Sequence, residues 1–121
     1  MTSHADIVKR GWAAVALGDW DTLAQDYTED MVFVMPGQED VFEGKSAFRQ
    51  ALEGLGAIVP PGFEITATRQ IGTNGEVVSI LDWKCDKIPD GSQMAVLFRF
   101  AGDLVHEERW FIDTAQWKAA F

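Results

Sequence analysis

Apolar residues recur three or four positions apart in three stretches of the first half of the chain, which is the spacing of one helix face. The first stretch follows Ser3 and stops before Gly18, the second follows Asp19, and the third follows Gly44. Ser and Asp are favoured at helix starts, and Gly is favoured just past helix ends. We therefore predict three helices in this half, the second of which includes Tyr27.

The period of the pattern changes to two from Phe63 onward, which indicates β-strands. Three groups of turn residues divide this region into four strands: Asn74-Gly75, Pro89-Asp90-Gly91 and Gly102-Asp103. Two short extended pieces lie between the second and third helices. Helices followed by a meander of strands predict an α+β domain rather than a doubly wound parallel sheet. We expect one domain, residues 1–121, with a curved antiparallel sheet packed on three N-terminal helices.

Alternation also assigns each strand side chain to the inner or the outer face of the sheet. Leu81 and Trp83 belong to the more apolar set of their strand, and Val96 and Phe98 to that of the next. The last strand is ambiguous, because each of its faces mixes apolar and charged residues. We place inside the set with the larger apolar area: Leu104, His106, Glu108, Trp110 and Ile112.

This placement makes His106 and Glu108 the candidate catalytic residues, about 7 Å apart along one strand face. In a dry cavity the pKa of Glu108 would rise, so that it could act as acid or base with His106 as partner. The alternatives are an ordinary buried His–Glu hydrogen bond, or a register that leaves both side chains in solvent. A metal site is not predicted, because His-x-Glu has no third ligand at suitable spacing.

The charge and the cysteine content limit which partners the protein can bind and in which compartment we expect it. A net charge of −9 disfavours binding to nucleic acid or to an anionic membrane surface. One cysteine, Cys85, cannot form an internal disulfide and suits a reducing compartment. The N-terminus lacks the features of a signal peptide, and no segment is long and apolar enough to span a bilayer. We therefore expect a cytoplasmic protein.

Several segments, taken in order, resemble the SnoaL-like branch of the nuclear transport factor 2-like (ketosteroid isomerase-like) superfamily. They are Leu17-Gly18-Asp19-Trp20 with Tyr27-Thr28-Glu29-Asp30, Phe42-Glu43-Gly44-Lys45 with Phe48, and the final hairpin from Phe98 to Asp113. The likeness covers nearly the whole chain. It implies a cone-shaped sheet, an internal cavity between sheet and helices, and a homodimer formed by the sheets.

The resemblance also implies that the usual catalytic positions of three related enzyme groups carry apolar residues here. The general base of ketosteroid isomerases falls on Met35, and their oxyanion positions fall near Gly11 and Val96. The water-positioning Tyr and Asn of limonene epoxide hydrolases fall on Phe33 and Met35, and a last-strand acid of polyketide cyclases falls on Trp110. The implied pocket is apolar and is lined by Trp12, Phe33, Met35, Leu81, Trp83, Val96, Phe98 and Trp110.

Apolar walls with a few polar anchors are typical of small-molecule pockets. We therefore expect a domain that binds a small apolar molecule, cyclic or aromatic, in contact with Glu108 and His106. If it is an enzyme, we expect acid–base chemistry without a cofactor, as in an isomerase, cyclase or lyase. The competing hypothesis is a non-catalytic, dimeric ligand-sensing or interaction module, because aromatic rings at such spacing are also typical of an ordinary core.

Overall fold

The computed structural model describes residues 2–121. Its elements, in chain order, are α1 (His4–Leu17), α2 (Trp20–Ala24), β1 (Tyr27–Val34), β2 (Val41–Glu43), α3 (Lys45–Ala57), β3 (Glu64–Thr73), β4 (Glu76–Cys85), β5 (Ile88–Ala101), β6 (Leu104–Ile112) and α4 (Thr114–Ala120). The predicted α+β class is confirmed, with three helices before the long strands and one short helix after them. No helix within residues 2–121 has the length and apolar character that a membrane crossing requires.

Helix α1 begins and ends, and helix α2 begins, where the capping residues predict. The Ser3 hydroxyl accepts a hydrogen bond from the Asp6 amide at 3.1 Å, and Gly18 ends α1 at a φ of 65°. Asp19 then caps α2 by accepting from the Thr22 amide. The prediction that the second helix includes Tyr27 is wrong, because α2 ends at Ala24 and Tyr27 begins β1.

The six strands form one curved sheet in the order β2-β1-β6-β5-β4-β3. All neighbouring strands are antiparallel except β1 and β6, which run parallel with Phe33 opposite Glu108. The sheet is therefore mixed, and the prediction of a wholly antiparallel sheet is wrong at this pair. Alternation indicates which face of a strand is buried, but it carries no information about the direction of a neighbouring strand.

The turn predicted at Pro89-Asp90-Gly91 lies inside β5 instead. The β4–β5 hairpin turns at Asp86–Lys87, with Cys85 opposite Ile88. Proline is tolerated here because β5 extends beyond β6, whose pairing with β5 begins only at Met94, so the missing amide breaks no ladder there. Gly91, at a φ of 82°, is needed where a Cβ would lie 3.0 Å from the Trp83 carbonyl oxygen.

The concave face of the sheet packs on the helices and holds the core, and the predicted inner set of β4 is confirmed there. All five of its residues are buried: Val77, Ser79, Leu81, Trp83 and Cys85. Met94, Val96 and Phe98 of β5 are buried on the same face. Helix α1 lies over β3 and β4, whereas α3 lies over β1 and β2. This arrangement leaves the centre of β6 facing the space between α1 and α3.

The inner-face assignment of β6 is correct for Glu108 and Trp110 and wrong for His106 and Leu104. Arg99 pairs with Glu107, but Phe100 pairs with Val105, so His106 is an extra residue in a β-bulge. The bulge reverses the alternation. Val105 is 2% exposed and points inward, whereas the side chain of His106 is 48% exposed on the outside. His106 lies near Asp30, with 3.9 Å between Nδ1 and Oδ1.

Candidate functional site

The site is built around Glu108, a carboxyl group buried at the centre of the concave face. Glu108 is only 3% exposed. Its Oε1 accepts a hydrogen bond from the Tyr27 hydroxyl, and its Oε2 accepts one from the Trp110 indole Nε1 at 2.7 Å. Tyr27 reaches Glu108 because β1 lies beside β6, with Tyr27 opposite Val105. Two neighbouring strands therefore fix both oxygens of the carboxyl group.

A small pocket opens over this carboxyl group, between α1 and the two following helices. Its volume is about 40 Å³. The walls consist of four aromatic rings, four small or aliphatic residues, and Glu108 itself. They are Trp12, Tyr27, Phe98, Trp110, Gly11, Val15, Leu23, Leu52 and Glu108. The pocket is thus an apolar space with one ionisable carboxyl group on its wall.

The apolar surroundings change the acid–base properties of Glu108. Burial raises the pKa of Glu108 to about 7, although the hydrogen bonds from Tyr27 and Trp110 act to lower it. Burial and the nearby charge of Glu108 raise the pKa of Tyr27 well above its usual range, so the phenol stays protonated. Among residues 2–121, no Lys, Arg or His side chain lines the pocket to neutralise the carboxylate. Glu108 can therefore exchange a proton near neutral pH.

The Trp12 ring is held in the pocket wall by a chain of hydrogen bonds to the sheet. Its indole Nε1 donates to the Ser79 hydroxyl at 2.9 Å, and Ser79 donates in turn to Gln70. Ser79 is fully buried. The ring is 6.1 Å from Phe98 and 6.4 Å from Trp110, measured between centroids. The wall of the pocket that α1 provides is therefore connected to two strands, β4 and β3, by the hydrogen bonds of Trp12, Ser79 and Gln70.

The structure brings together some of the residues that the sequence predicted for the pocket and separates the others. Trp12, Phe98 and Trp110 line the pocket beside Glu108. The others belong to the core or pack against it without lining the pocket: Phe33, Met35, Leu81, Trp83 and Val96. His106 lies outside, so it cannot act as the partner of Glu108 in this arrangement. Within residues 2–121, no three His, Cys, Asp or Glu side chains are grouped as metal ligands would be.

Tyr27 contacts Glu108 at this site, although the sequence pattern does not predict it there. The helical spacing predicts Tyr27 in the second helix, where its hydroxyl has no relation to the last strand. A signal was available, because Tyr27, Met31 and Phe33 share one parity and are all buried on β1. Extending the predicted strand back to Tyr27 would have placed its ring on the concave face. The wall residues from α2 and α3, Leu23 and Leu52, were missed as pocket residues as well.

Comparison with known proteins assigns a family and a fold. A family model described as a SnoaL-like domain matches residues 8–108. No curated protein matches the chain. Among solved structures, a proposed polyketide cyclase from Xanthomonas campestris pv. campestris is similar with a TM-score of 0.79 at 15% identity, covering 97% of this chain and 96% of that chain.

Two further structures are similar over most of their length. Bal32a, from a soil-derived mobile gene cassette, has a TM-score of 0.80 at 21% identity, covering 97% of this chain and 95% of that chain. A proposed ketosteroid isomerase from Kribbella flavida has a TM-score of 0.74 at 14% identity, covering 89% of this chain and 76% of that chain. Identities this low establish the shared fold alone.

Proposed function

The chain belongs to the SnoaL-like domain family, and on that premise we propose that it binds a small, mostly apolar molecule in the pocket over Glu108. In this proposal Glu108 orients the ligand and exchanges a proton with it. The observation that carries the proposal is the buried carboxyl group of Glu108, which faces an apolar pocket and is hydrogen-bonded on both oxygens. The pKa of this carboxyl group is about 7. A titratable group perturbed in this way in a pocket is typical of a functional site.

The chemistry proposed for this site is proton transfer by Glu108 alone, without a cofactor. A group with a pKa near the operating pH is present in both protonation states, which general acid–base catalysis requires. Tyr27 supports this role by donating to the carboxylate form. The names of two similar structures, a proposed polyketide cyclase and a proposed ketosteroid isomerase, agree with isomerase or cyclase chemistry.

The size of the pocket limits which ligands enter without rearrangement. Its volume is about 40 Å³, whereas an apolar cavity of roughly 150 Å³ accepts benzene. A cyclic or aromatic ligand therefore requires part of the wall to move. Trp12 is half-buried and is carried by α1, and its movement would break its hydrogen bond to Ser79.

The proposal is tested by titrating the protein with a panel of small apolar and aromatic molecules while recording tryptophan fluorescence. Trp12 and Trp110 line the pocket, so a bound ligand should shift or quench the emission. Glu108→Gln should weaken binding and abolish any turnover, yet leave the fold intact, because glutamine has a similar shape but cannot exchange a proton. His106→Ala is the matched control and should change neither. A silent response of the wild-type protein across the whole panel would refute the proposal.

A second candidate function is a non-catalytic dimeric module, and the outer face of the sheet favours it. Ile71, Val78 and Leu97 lie in one row across β3, β4 and β5, because Ile71 pairs with Val78 and Val78 with Leu97. Phe111, on β6, is 45% exposed on the same face. We propose a homodimer through this face. Sedimentation equilibrium should show a dimer that Phe111→Lys weakens, whereas a monomeric wild-type protein would exclude this candidate.

We also propose a cytoplasmic location. Cys85 is a free thiol and is only 3% exposed on the concave face. A lone buried thiol behaves as a small apolar residue and is compatible with a reducing compartment. Fractionation of the native host cells, with detection by an antibody, tests the proposal directly. Recovery of the protein in an extracellular fraction would contradict it.

A further inference from the structure

When Glu108 is ionised, the hydrogen-bonding groups that the pocket leaves free for a ligand are of one kind only. Its three side-chain donors are already engaged: Trp12 donates to Ser79, and both Tyr27 and Trp110 donate to Glu108. The other lining side chains carry no polar atoms. What remains free is the acceptor capacity of the Glu108 carboxylate, because each oxygen has a second lone pair. With Glu108 ionised, the pocket therefore offers a ligand acceptors and no free donor, whereas the neutral acid adds one O–H donor.

At a pH above the pKa of Glu108, this inventory excludes ligands whose polar group is itself only an acceptor. A carbonyl oxygen or a carboxylate in the pocket would meet the lone pairs of Glu108 without a hydrogen bond, which is costly in a buried site. In the part of the chain that the structure describes, no cationic side chain lines the pocket to compensate an anion. The fitting polar group is a donor, and a positively charged donor gains the most from the carboxylate.

The surrounding charges and rings favour a cation as well. Tyr27 is the other titratable group that faces Glu108. Asp26, beside Tyr27, is already paired with Arg10 at 2.7 Å. Aromatic rings attract cations over their faces, and four rings line the pocket: Trp12, Tyr27, Phe98 and Trp110. Burying an ammonium ion here replaces its hydration with a carboxylate and π-systems.

We propose that the ligand of this pocket is a small alkyl amine, bound as its ammonium ion with the charged nitrogen against the Glu108 carboxylate. This inference rests on the proposed function, because it names the ligand class of the same pocket. The volume of about 40 Å³ is roughly three times the space that one water needs. An amine of three or four heavy atoms, such as propylamine, therefore matches the pocket without movement of the walls.

The proposal predicts that binding is coupled to the ionisation of Glu108. An ammonium ion binds the carboxylate and not the neutral acid, so at pH 6 the incoming amine must displace a proton from Glu108. The amine itself stays protonated from pH 6 to pH 8, because its pKa lies near that of lysine, about 10.4. With the pKa of Glu108 at about 7, affinity should rise about tenfold between pH 6 and pH 8.

Isothermal titration calorimetry on the full chain, with propylamine, propan-1-ol and propionate as probes of similar size, tests the proposal. We expect propylamine to bind at least tenfold more tightly than propan-1-ol at pH 8, and propionate not to bind. Affinity for the amine should rise with pH, whereas affinity for the alcohol should change little. The experiment at several pH values uses the wild-type protein, so it does not depend on any variant folding.

Two variants distinguish binding of the amine in the pocket from its general electrostatic attraction to the acidic protein surface. Glu108→Gln should remove the preference for the amine over the alcohol. Glu107→Gln, one residue away on the outer face, removes the same charge and should leave amine binding unchanged. Equal binding of amine and alcohol, or no rise with pH, would overturn this inference while the proposed function stands. If neither these probes nor the broad apolar panel binds, the proposed function fails with it.

Discussion

The two ends of the concave face are both rich in aromatic rings, yet in residues 2–121 the rings line a small apolar pocket at one end and pack against one another at the other. At the pocket end, Trp12 and Trp110 each have an acceptor for their indole nitrogen, at 2.9 Å and 2.7 Å. At the other end, Trp83 packs against Phe63 at 5.8 Å and Trp117 at 6.3 Å. The buried Nε1 of Trp83 has no hydrogen-bond partner in the part of the chain that the structure describes.

The difference shows that aromatic rings alone do not make a binding site. Trp117, carried by α4, fills the space over Trp83 and leaves a closed cluster of rings. At the pocket end, Glu108 brings together two donors from separate strands and leaves free acceptor capacity beside an open volume. A carboxyl group that is costly to bury is the better marker of function, because core packing alone gives no reason to place it there.

The largest expected effect is a difference in stability between variants at Trp83 and at Trp12. Trp83→Ala should lower the free energy of unfolding by about 3–5 kcal/mol, because it empties a fully packed site. Trp12→Ala should cost about 2 kcal/mol, since its ring is half-buried and already borders a void. Urea unfolding at pH 7, followed by circular dichroism, measures both values.

The same pair of variants should separate stability from binding. Trp12→Ala should change the affinity or the size preference of the pocket, whereas Trp83→Ala should leave both unchanged wherever it remains folded. Equal losses of stability at the two positions would mean that the pocket end is packed as tightly as the closed end. A binding defect confined to Trp83→Ala would place the ligand at the wrong end of the face for our proposal.

The second effect is a pH dependence of stability that comes from Glu108. Its pKa is about 7 in the folded protein against a usual value of 4.5, so the folded state holds a proton that the unfolded state releases. The contribution of Glu108 to the free energy of unfolding should therefore be greatest below about pH 4.5 and should fall as the pH rises to about 7. The full difference is about 3 kcal/mol.

Unfolding curves at several pH values, for the wild type and Glu108→Gln, isolate this contribution. Glutamine does not titrate, so the variant should lose the decline between pH 4.5 and 7 and gain stability relative to the wild type at pH 8. Other carboxyl groups titrate at the acid end in both proteins and cancel in the comparison. If the two curves stay parallel across this range, Glu108 does not have the raised pKa.

Much of the fold could be predicted from the sequence, because each feature depends on local chemistry. Capping residues located the ends of α1 and the start of α2, since a side chain or glycine satisfies backbone groups within one turn. Strict alternation located the buried face of β4 from Val77 to Cys85. The burial of Glu108 and Trp110 also followed from alternation, because the β5–β6 pairing from Met94 to Arg99 is regular.

What could not be predicted depends on non-local geometry. One extra residue at His106 reverses the alternation, and nothing in the local composition distinguishes a bulge from a regular strand. The parallel pairing of β1 with β6, which brings Tyr27 to Glu108, joins residues 81 positions apart. The same aromatic residues can line a void or fill it, so the sequence could not separate Trp12 from Trp83.

The smallest expected effect is at His106, the residue that shares a strand with Glu108 but lies on the other side of the bulge. Its Nδ1 is 3.9 Å from Asp30, too far for a hydrogen bond, and exposed ion pairs contribute little. His106→Ala should therefore change stability by no more than about 0.5 kcal/mol and leave ligand binding unchanged. Urea unfolding and the fluorescence titration measure the two effects. A binding loss as large as that of Glu108→Gln would mean that His106 reaches the pocket in solution, so the bulge that separates the two residues would have to be absent.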